Sequence, residues 1–496
     1  MSENLKFPYP NHQPRLDRYR FNDELFKGDH FMAFKLRVQN EHFNKTYSTL
    51  KYVTSNFAGL ISKVSADMLA GEGNKYRVKD GDQEFLDALV QDNKLHVQLY
   101  ESALGNSKRG DAVFKLRVGK RRSSDENSTV IIEDITPSIY FPHLDNANVR
   151  QEPETQELAW VVDIGTKKYL RKEIHTPGKI RNELWLMKGD EIAQQADLAL
   201  LGIEGLMPEE DTGVKHSLLF HIPNWKDGSN FFGFDDYQDL TALFYALNNR
   251  MTKTENILDK HSDPILALPE GVLDEEGKIK KESFTMFEIP GQDVGSTAKP
   301  EYIVWNASLE SNFKHIEKLV QMLYMFSETS PDAFGMGENQ TDSGRALKLR
   351  LMRTIAKVNR KRLYYDNALK QILFVAQELA KAHNLEVGDG IKLQGEPAPV
   401  DIEWQDGLPI DPYEAAQEEE LRLASGTTSK KRAIMRLDGV DEDAAEDILE
   451  EIKEEDSIEL PTGGGKAMDP ESDPLNPEDS QPTNPDKAEP KIPGAR

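Results

Sequence analysis

The feature that most limits how this chain can fold is a helical pattern that runs from Ser343 to about His383. Unbroken, it would be about 60 Å long at ~1.5 Å per residue, longer than a globular domain of ordinary size surrounds. Its apolar positions Leu347, Leu351, Ile355, Val358, Tyr365, Leu369 and Ile372 recur at helical spacing, whereas Arg350, Arg353, Lys357, Arg360 and Lys361 fall on another face. The pattern predicts a rod with a core side and a cationic side.

What precedes the rod is organised just as distinctively. Residues 236–260 form a helical pattern with Leu240, Leu243, Phe244, Leu247 and Met251 on one stripe, turning polar before Pro264. Strand-like pieces follow at 265–268, 284–289 and 302–305, around the charged turn from Asp274 to Lys281. Helix resumes over 309–326, and a turn-rich stretch, 327–342, leads into the rod.

The remaining segments read as an α+β body and a helical end. Helices are expected over 50–69, stopped by Gly71 and Gly73, and over 83–105. β-branched and aromatic runs at 113–118, 130–135, 158–164, 170–175 and 179–187 predict a mixed or antiparallel sheet. Beyond the rod, strands are expected at 391–393 and 400–404. Asp411-Pro412-Tyr413-Glu414 resembles a capping box, Gly426 and Gly439 read as stops, and a last helix over 441–452 would turn Ala444, Ala445, Ile448 and Ile452 inward. The final 36 residues carry eight prolines and almost nothing apolar, too little burial to offset chain entropy, and read as a disordered tail.

Composition narrows the function classes. The absence of cysteine removes disulfides, thiolate metal sites and cysteine nucleophiles, and suits assembly in a reducing cytoplasm. No apolar run approaches the roughly 20 residues a membrane helix needs, and the N-terminus lacks a signal-peptide core, so a soluble, unprocessed chain is expected. A formal charge of −25 argues against tight gripping of DNA phosphate. Gly463-Gly464-Gly465-Lys466 lacks the spacing and the following Ser/Thr of a phosphate loop, the histidines show no metal-binding spacing, and no GxSxG elbow occurs. No catalytic residue, metal site or cofactor is expected.

Local wording adds to this order. Residues 49–76, with Asn56 and Ala70-Gly71-Glu72-Gly73, then Ala103-Leu104-Gly105, Gly110-Asp111-Ala112, Ile135-Thr136-Pro137 and Phe141-Pro142 form one set. Phe220-His221-Ile222-Pro223-Asn224, Asp235-Asp236, Ala246-Leu247-Asn248, Asp263-Pro264-Ile265-Leu266, the run from Ser327 to Pro331 and Ser343-Gly344-Arg345-Ala346-Leu347 form another. In sequence order they resemble the portal proteins of siphophages of Gram-positive bacteria, over about 50–455. The N-terminal 40 residues match nothing in that pattern.

The resemblance implies an α+β portal fold with an N-terminal arm (1–40), wing (41–235), first stem helix (236–262), clip (263–305), second stem helix (306–328), tunnel loop (329–342), long wing helix (343–383), crown (384–457) and tail (458–496). It also implies a ring, usually of twelve subunits, at one capsid vertex in the virion, assembled in the host cytoplasm. Double-stranded DNA would pass through it without sequence specificity. The terminase large subunit, a head–tail adaptor and the major capsid or scaffolding protein would be its partners, with a separate ATPase supplying energy. Phe334, Met336, Glu338, Asn339, Gln340 and Asp342 would form the tunnel loop, its glycines acting as hinges. Glu270, Asp274, Glu275, Glu276, Lys278, Lys280 and Lys281 would present the clip to its partners. Arg350, Arg353, Lys357, Arg360 and Lys361 would face DNA or a neighbouring subunit, with intersubunit ion pairs the preferred reading. A Mg²⁺-dependent phosphoryl-transfer enzyme with clustered carboxylates is the rival from another class; a different structural virion component is a third reading.

Overall fold

A computed structural model describes residues 6–38, 51–122, 125, 127–144, 151–262, 265–269, 286–289, 301–303, 309–337, 344–405, 412–440 and 442–457. They divide into a body, up to residue 409, and a C-terminal helical unit from residue 410.

The body begins with helices α1 (Gln13–Lys27) and α2 (His30–Val38). Residues 13–38, part of the segment 1–40 that the sequence reading names an N-terminal arm, pack inward. Leu25, Phe34 and Phe21 join Ile61, Tyr237, Phe244, Leu319 and Leu323 in one apolar cluster. The imidazole of His30, wholly buried, bridges Leu25 O at 3.1 Å and the Asn248 amide at 2.7 Å, which ties this segment to the first long helix downstream.

Helix α3 spans Phe57–Ala70 rather than starting near residue 50, because the Asn56 side chain accepts the Gly59 N–H at 3.0 Å and so caps it there. Strand β1 (Lys75–Val78) follows. The expected helix over 83–105 is two, α4 (Gln83–Asp92) and α5 (Leu95–Arg109). The break has a tertiary cause: Lys94 sits in the left-handed region (φ 49°), and buried Asn93 donates to Leu89 O and Val130 O while accepting the Ile132 N–H at 2.8 Å.

Two antiparallel sheets come next. Strands β2 (Asp111–Gly119) and β3 (Thr129–Ile135) pair in one of them. The other runs in the order β4 (Tyr140–Pro142), β5 (Gln156–Ile164), β6 (Lys167–Thr176), β7 (Lys179–Lys188), β8 (Glu191–Ala196), with β9 (Glu209–Asp211) added on β7. Strand β10 (Leu219–Pro223) returns to the far side of β2. The β-branched and aromatic runs read from the sequence therefore locate five of these strands to within a few residues; short β4, β8 and β9 carry too few apolar positions to register.

Helix α6 (Thr241–Ser262) and helix α7 (Leu309–Phe326) pack together, and between them lie β11 (Ile265–Pro269), β12 (Met286–Ile289) and β13 (Glu301–Ile303). In this small sheet β11 is central, parallel to β12 and antiparallel to β13. The expected start of α6 at residue 236 is displaced to Thr241, since Asp235 accepts the Tyr237 N–H and Tyr237 is buried in a turn.

The rod is divided. Helix α8 (Gly344–Arg350) meets helix α9 (Met352–Ala382) at Leu351, where ψ rises to 0° although Leu351 still donates to Leu347 O and accepts from Ile355. Helix α9 has 31 residues, about 46 Å at 1.5 Å per residue. Tyr365, Leu369, Ile372, Leu373 and Leu379 lie in the main core with Leu86, Leu99, Phe114 and Ile132, so the sheet of β2 and β3 and helices α3–α5 wrap its C-terminal half. Strands β14 (Glu386–Val387) and β15 (Ile391–Lys392) form a hairpin, and β16 (Val400–Glu403) pairs with β1 across more than three hundred residues of sequence.

The C-terminal unit comprises α10 (Pro412–Ala424), α11 (Lys430–Leu437) and α12 (Glu442–Ser457), with Gly426 and Gly439 at φ 68° where the sequence reading places stops. Ala445 is inward as expected, but Ile452 is exposed. Ion pairs also fasten this unit: Glu419 takes Arg422 and Arg436, and Lys431 reaches Glu442 at 2.9 Å and Glu446 at 3.3 Å.

Candidate channel segment and the joint behind it

Sequence segments that lie far apart converge on one carboxylate, that of Asp236, whose side chain is buried in the turn ahead of α6. Its Oδ2 accepts from Ser107 at 2.6 Å and from Lys361 at 2.6 Å, and lies 3.3 Å from the Lys357 ammonium; its Oδ1 accepts from the Asn224 amide at 3.0 Å. Lys361 also donates to Ser65 on α3. Burial alone would raise the carboxyl of Asp236, but the two ammonium groups and the Ser107 hydroxyl overturn this and hold it well below the usual carboxylate range. Burial also pushes Lys361 down, with Asp236 opposing. Next door, burial lifts Asp235 to about 6 against the pull of Arg18, 3.0 Å away.

A second node supports the first. Asp111, fully buried at the start of β2, accepts from Tyr19, from His221 at 2.7 Å and from the Gly233 N–H at 2.8 Å. Gly110 is held at φ 88°, and a side chain on Gly233 would collide with Gly110 O, so both glycines are required by close backbone approach. The stretches Gly110-Asp111, Phe220 to Asn224 and Asp235-Asp236, separate in sequence, are thus one structural knot where the sheet of β2, β3 and β10 meets the helix pair.

The segment expected as the tunnel loop is described only as far as Gly337; Glu338, Asn339, Gln340 and Asp342 lie outside the described residues, as do Glu270, Asp274, Glu275, Glu276, Lys278, Lys280 and Lys281. Residues 331–334 form a 3₁₀ turn capped by Ser330, whose own N–H is bound by Thr354 on α9 at 2.8 Å. Phe334, one of the residues expected in the loop, is half-buried. Its ring packs on Tyr324 and Phe57, with centroids 5.4 and 6.3 Å away. Met336 is exposed, its sulfur accepting the Tyr324 hydroxyl at 3.0 Å. The glycines form turns here: Gly335 closes the 3₁₀ turn at φ 72°, and a Cβ on Gly337 would run into the Asp332 carboxylate.

The five cations of the rod have partners within this chain. Arg350 reaches Asp332 at 3.4 Å, Arg353 and Arg360 share the carboxylate of Glu328, and Lys357 donates to Ser327 O at 3.0 Å as well as facing Asp236, which also holds Lys361. Periodicity placed these side chains on one face; it could not name acids that arrive from residues 236, 328 and 332. The signals that could have found them are an Asp-Asp pair ahead of a helix, and an acid where the end of α7 calls for glycine.

Among the described residues no group of three His, Asp or Glu side chains could hold a metal ion, and no helix is long and apolar enough to cross a membrane. An α+β body that carries two packed helices bridged by a small sheet, followed by a capped turn and an outsized helix, is compatible with the portal fold. Residues 209–457 match the family described as phage portal protein, SPP1 Gp6-like, and the chain belongs to that family. Family membership brings a phage portal role: a ring-forming structural protein of the capsid vertex, not an enzyme, which sets aside the phosphoryl-transfer alternative. No curated protein matches the chain.

Proposed function

We propose that this chain closes into a ring whose central channel carries double-stranded DNA of any sequence during packaging and ejection. In this reading residues 236–262 and 306–328 are the stem, 263–305 the clip that docks the terminase large subunit and then a head–tail adaptor, and 329–342 the tunnel loop. Residues 343–383 cross the wing (41–235), which meets the capsid or scaffolding protein, and 384–457 form the crown.

One observation supports ring closure above the others. On α8 and α9, Leu349, Met352 and Leu363 are 66%, 61% and 68% exposed, at helical spacing on one face, and Phe313, Met325 and Phe326 are exposed on α7. Exposed apolar side chains on two different helices suit the heterologous contact that closes a ring, in which each copy offers two distinct surfaces. Channel electrostatics agree: with a formal charge of −25 and the rod's cations engaged by Asp236, Glu328 and Asp332, DNA meets no deep phosphate-binding minimum.

Negative-stain electron microscopy of the purified full chain tests this, with annular particles and a central hole as the expected result. A compact monomer at every concentration would sink it. Shortening 338–342 should spare the ring and damage packaging; normal packaging by the shortened ring would remove the loop assignment.

A further inference from the structure

Helix α7 ends in a Schellman turn: Ser327 donates to Leu323 O at 2.9 Å, Glu328 to Met325 O at 3.3 Å and Thr329 to Tyr324 O at 3.2 Å. The residue that such a turn holds in the left-handed region is ordinarily glycine, because a Cβ there crowds the following carbonyl. Here it is Glu328, at φ 54°. A residue kept in an unfavourable conformation raises the question of what its side chain supplies.

The answer is in its contacts. One oxygen of the Glu328 carboxylate lies 3.2 Å from Arg353 and the other pairs with Arg360. These two arginines are seven residues apart, two turns along one face of α9. Lys357, between them, donates to the carbonyl of Ser327, one residue before Glu328. The negative end of the α7 dipole and the carboxylate together therefore dock on a three-cation stripe. The guanidinium groups remain at the surface, with side-chain exposures of 70% and 50%, while Lys357 is buried. Glu328 is the acid that accounts for both exposed charges.

We propose that Glu328 is a charge clasp whose work is to withhold Arg353 and Arg360 from DNA phosphate. Arginine forks bind phosphate bidentately, and each one released toward a duplex adds a salt-sensitive contact. A glycine at position 328 would make the turn more easily but leave both forks free. The inference rests on the ring-and-channel reading above and adds to it the device that keeps this cationic face from gripping DNA.

The test compares wild-type, Glu328→Gly and Glu328→Gln rings, each checked for annular form, in binding a short blunt duplex across a salt series. Glu328→Gly suits the turn and Glu328→Gln keeps the shape of the side chain, so a folding defect in one leaves the other to read. At low salt both variants should bind at least about tenfold tighter, with a log–log salt slope steeper by about 0.9 for each phosphate newly engaged. Labelling by an arginine-selective dicarbonyl should rise at Arg353 and Arg360, and adding Arg353→Gln and Arg360→Gln should return binding to the wild-type level. Unchanged duplex affinity in annular variants would overturn the clasp while leaving the portal reading intact. Absence of annular particles in the wild type would overturn both.

Discussion

Between Tyr365 and Ala380, helix α9 buries Tyr365, Leu369, Ile372, Leu373, Val375, Ala376, Leu379 and Ala380 with Gln377 as the polar member; between Thr354 and Lys361 it buries Thr354, Lys357, Val358 and Lys361. The backbone is the same, but the C-terminal half is held by apolar packing, which is non-directional and spread over many neighbours. The N-terminal half has fewer apolar contacts, through Leu351, Ile355 and Val358, and adds charge and hydrogen-bond contacts to Asp236, Ser327 and Ser65, which are directional and concentrated. The difference teaches that a long amphipathic helix can be fixed in register at one end by a core and at the other by a joint, and that the joint is the end where a single substitution tells most.

The sharpest way to break the contrast is Asp236→Asn, which leaves two buried ammonium groups without their counter-ion. A loss of about 3–5 kcal/mol is expected, measured as a lower midpoint in urea unfolding. Adding Lys361→Met should recover part of it; a variant as stable as wild type would show the joint to be incidental. On the apolar side, Ile372→Ala should cost about 2–5 kcal/mol through the cavity it opens, without the recovery by a second substitution that marks the ionic joint.

Acid sharpens the comparison further. The carboxyl of Asp236 is lowered in the folded chain, so its contribution is fully present above the unfolded value of about 4 and is lost as pH falls below that toward the folded value. The stability gap between wild type and Asp236→Asn should therefore narrow below about pH 4, whereas the gap for Ile372→Ala should not follow this trend. The smallest effect belongs to the exposed rim of the joint: Arg353→Gln should cost no more than about 1 kcal/mol, and less at high salt.

Much of this was legible because the period of a pattern is a local property. β-Branched and aromatic runs over 158–164, 170–175 and 179–187 located β5, β6 and β7, and the helical spacing of Tyr365, Leu369 and Ile372 gave the buried face of α9. The helices of residues 13–38 were not legible in the same way. In α1 the buried face is Tyr19, Phe21, Asn22 and Leu25, half aromatic and part polar, so its stripe is weak until the partners on α3 and α6 are known. The cut at Asn93 was hidden for a related reason: its side chain is satisfied by the backbone of β3.

By itself the sequence determined the order of elements, the two-sided character of the rod and the portal-like succession of helix, small sheet, helix, turn and long helix, since each depends on residues a few places apart. Only the tertiary structure decided where the rod is divided, that its N-terminal neighbours are core, and which acids meet its cations. Those outcomes depend on Asp236 and Glu328 being carried to α9 by other elements, and an electrostatic partner is chosen by distance in space, which helical periodicity does not encode.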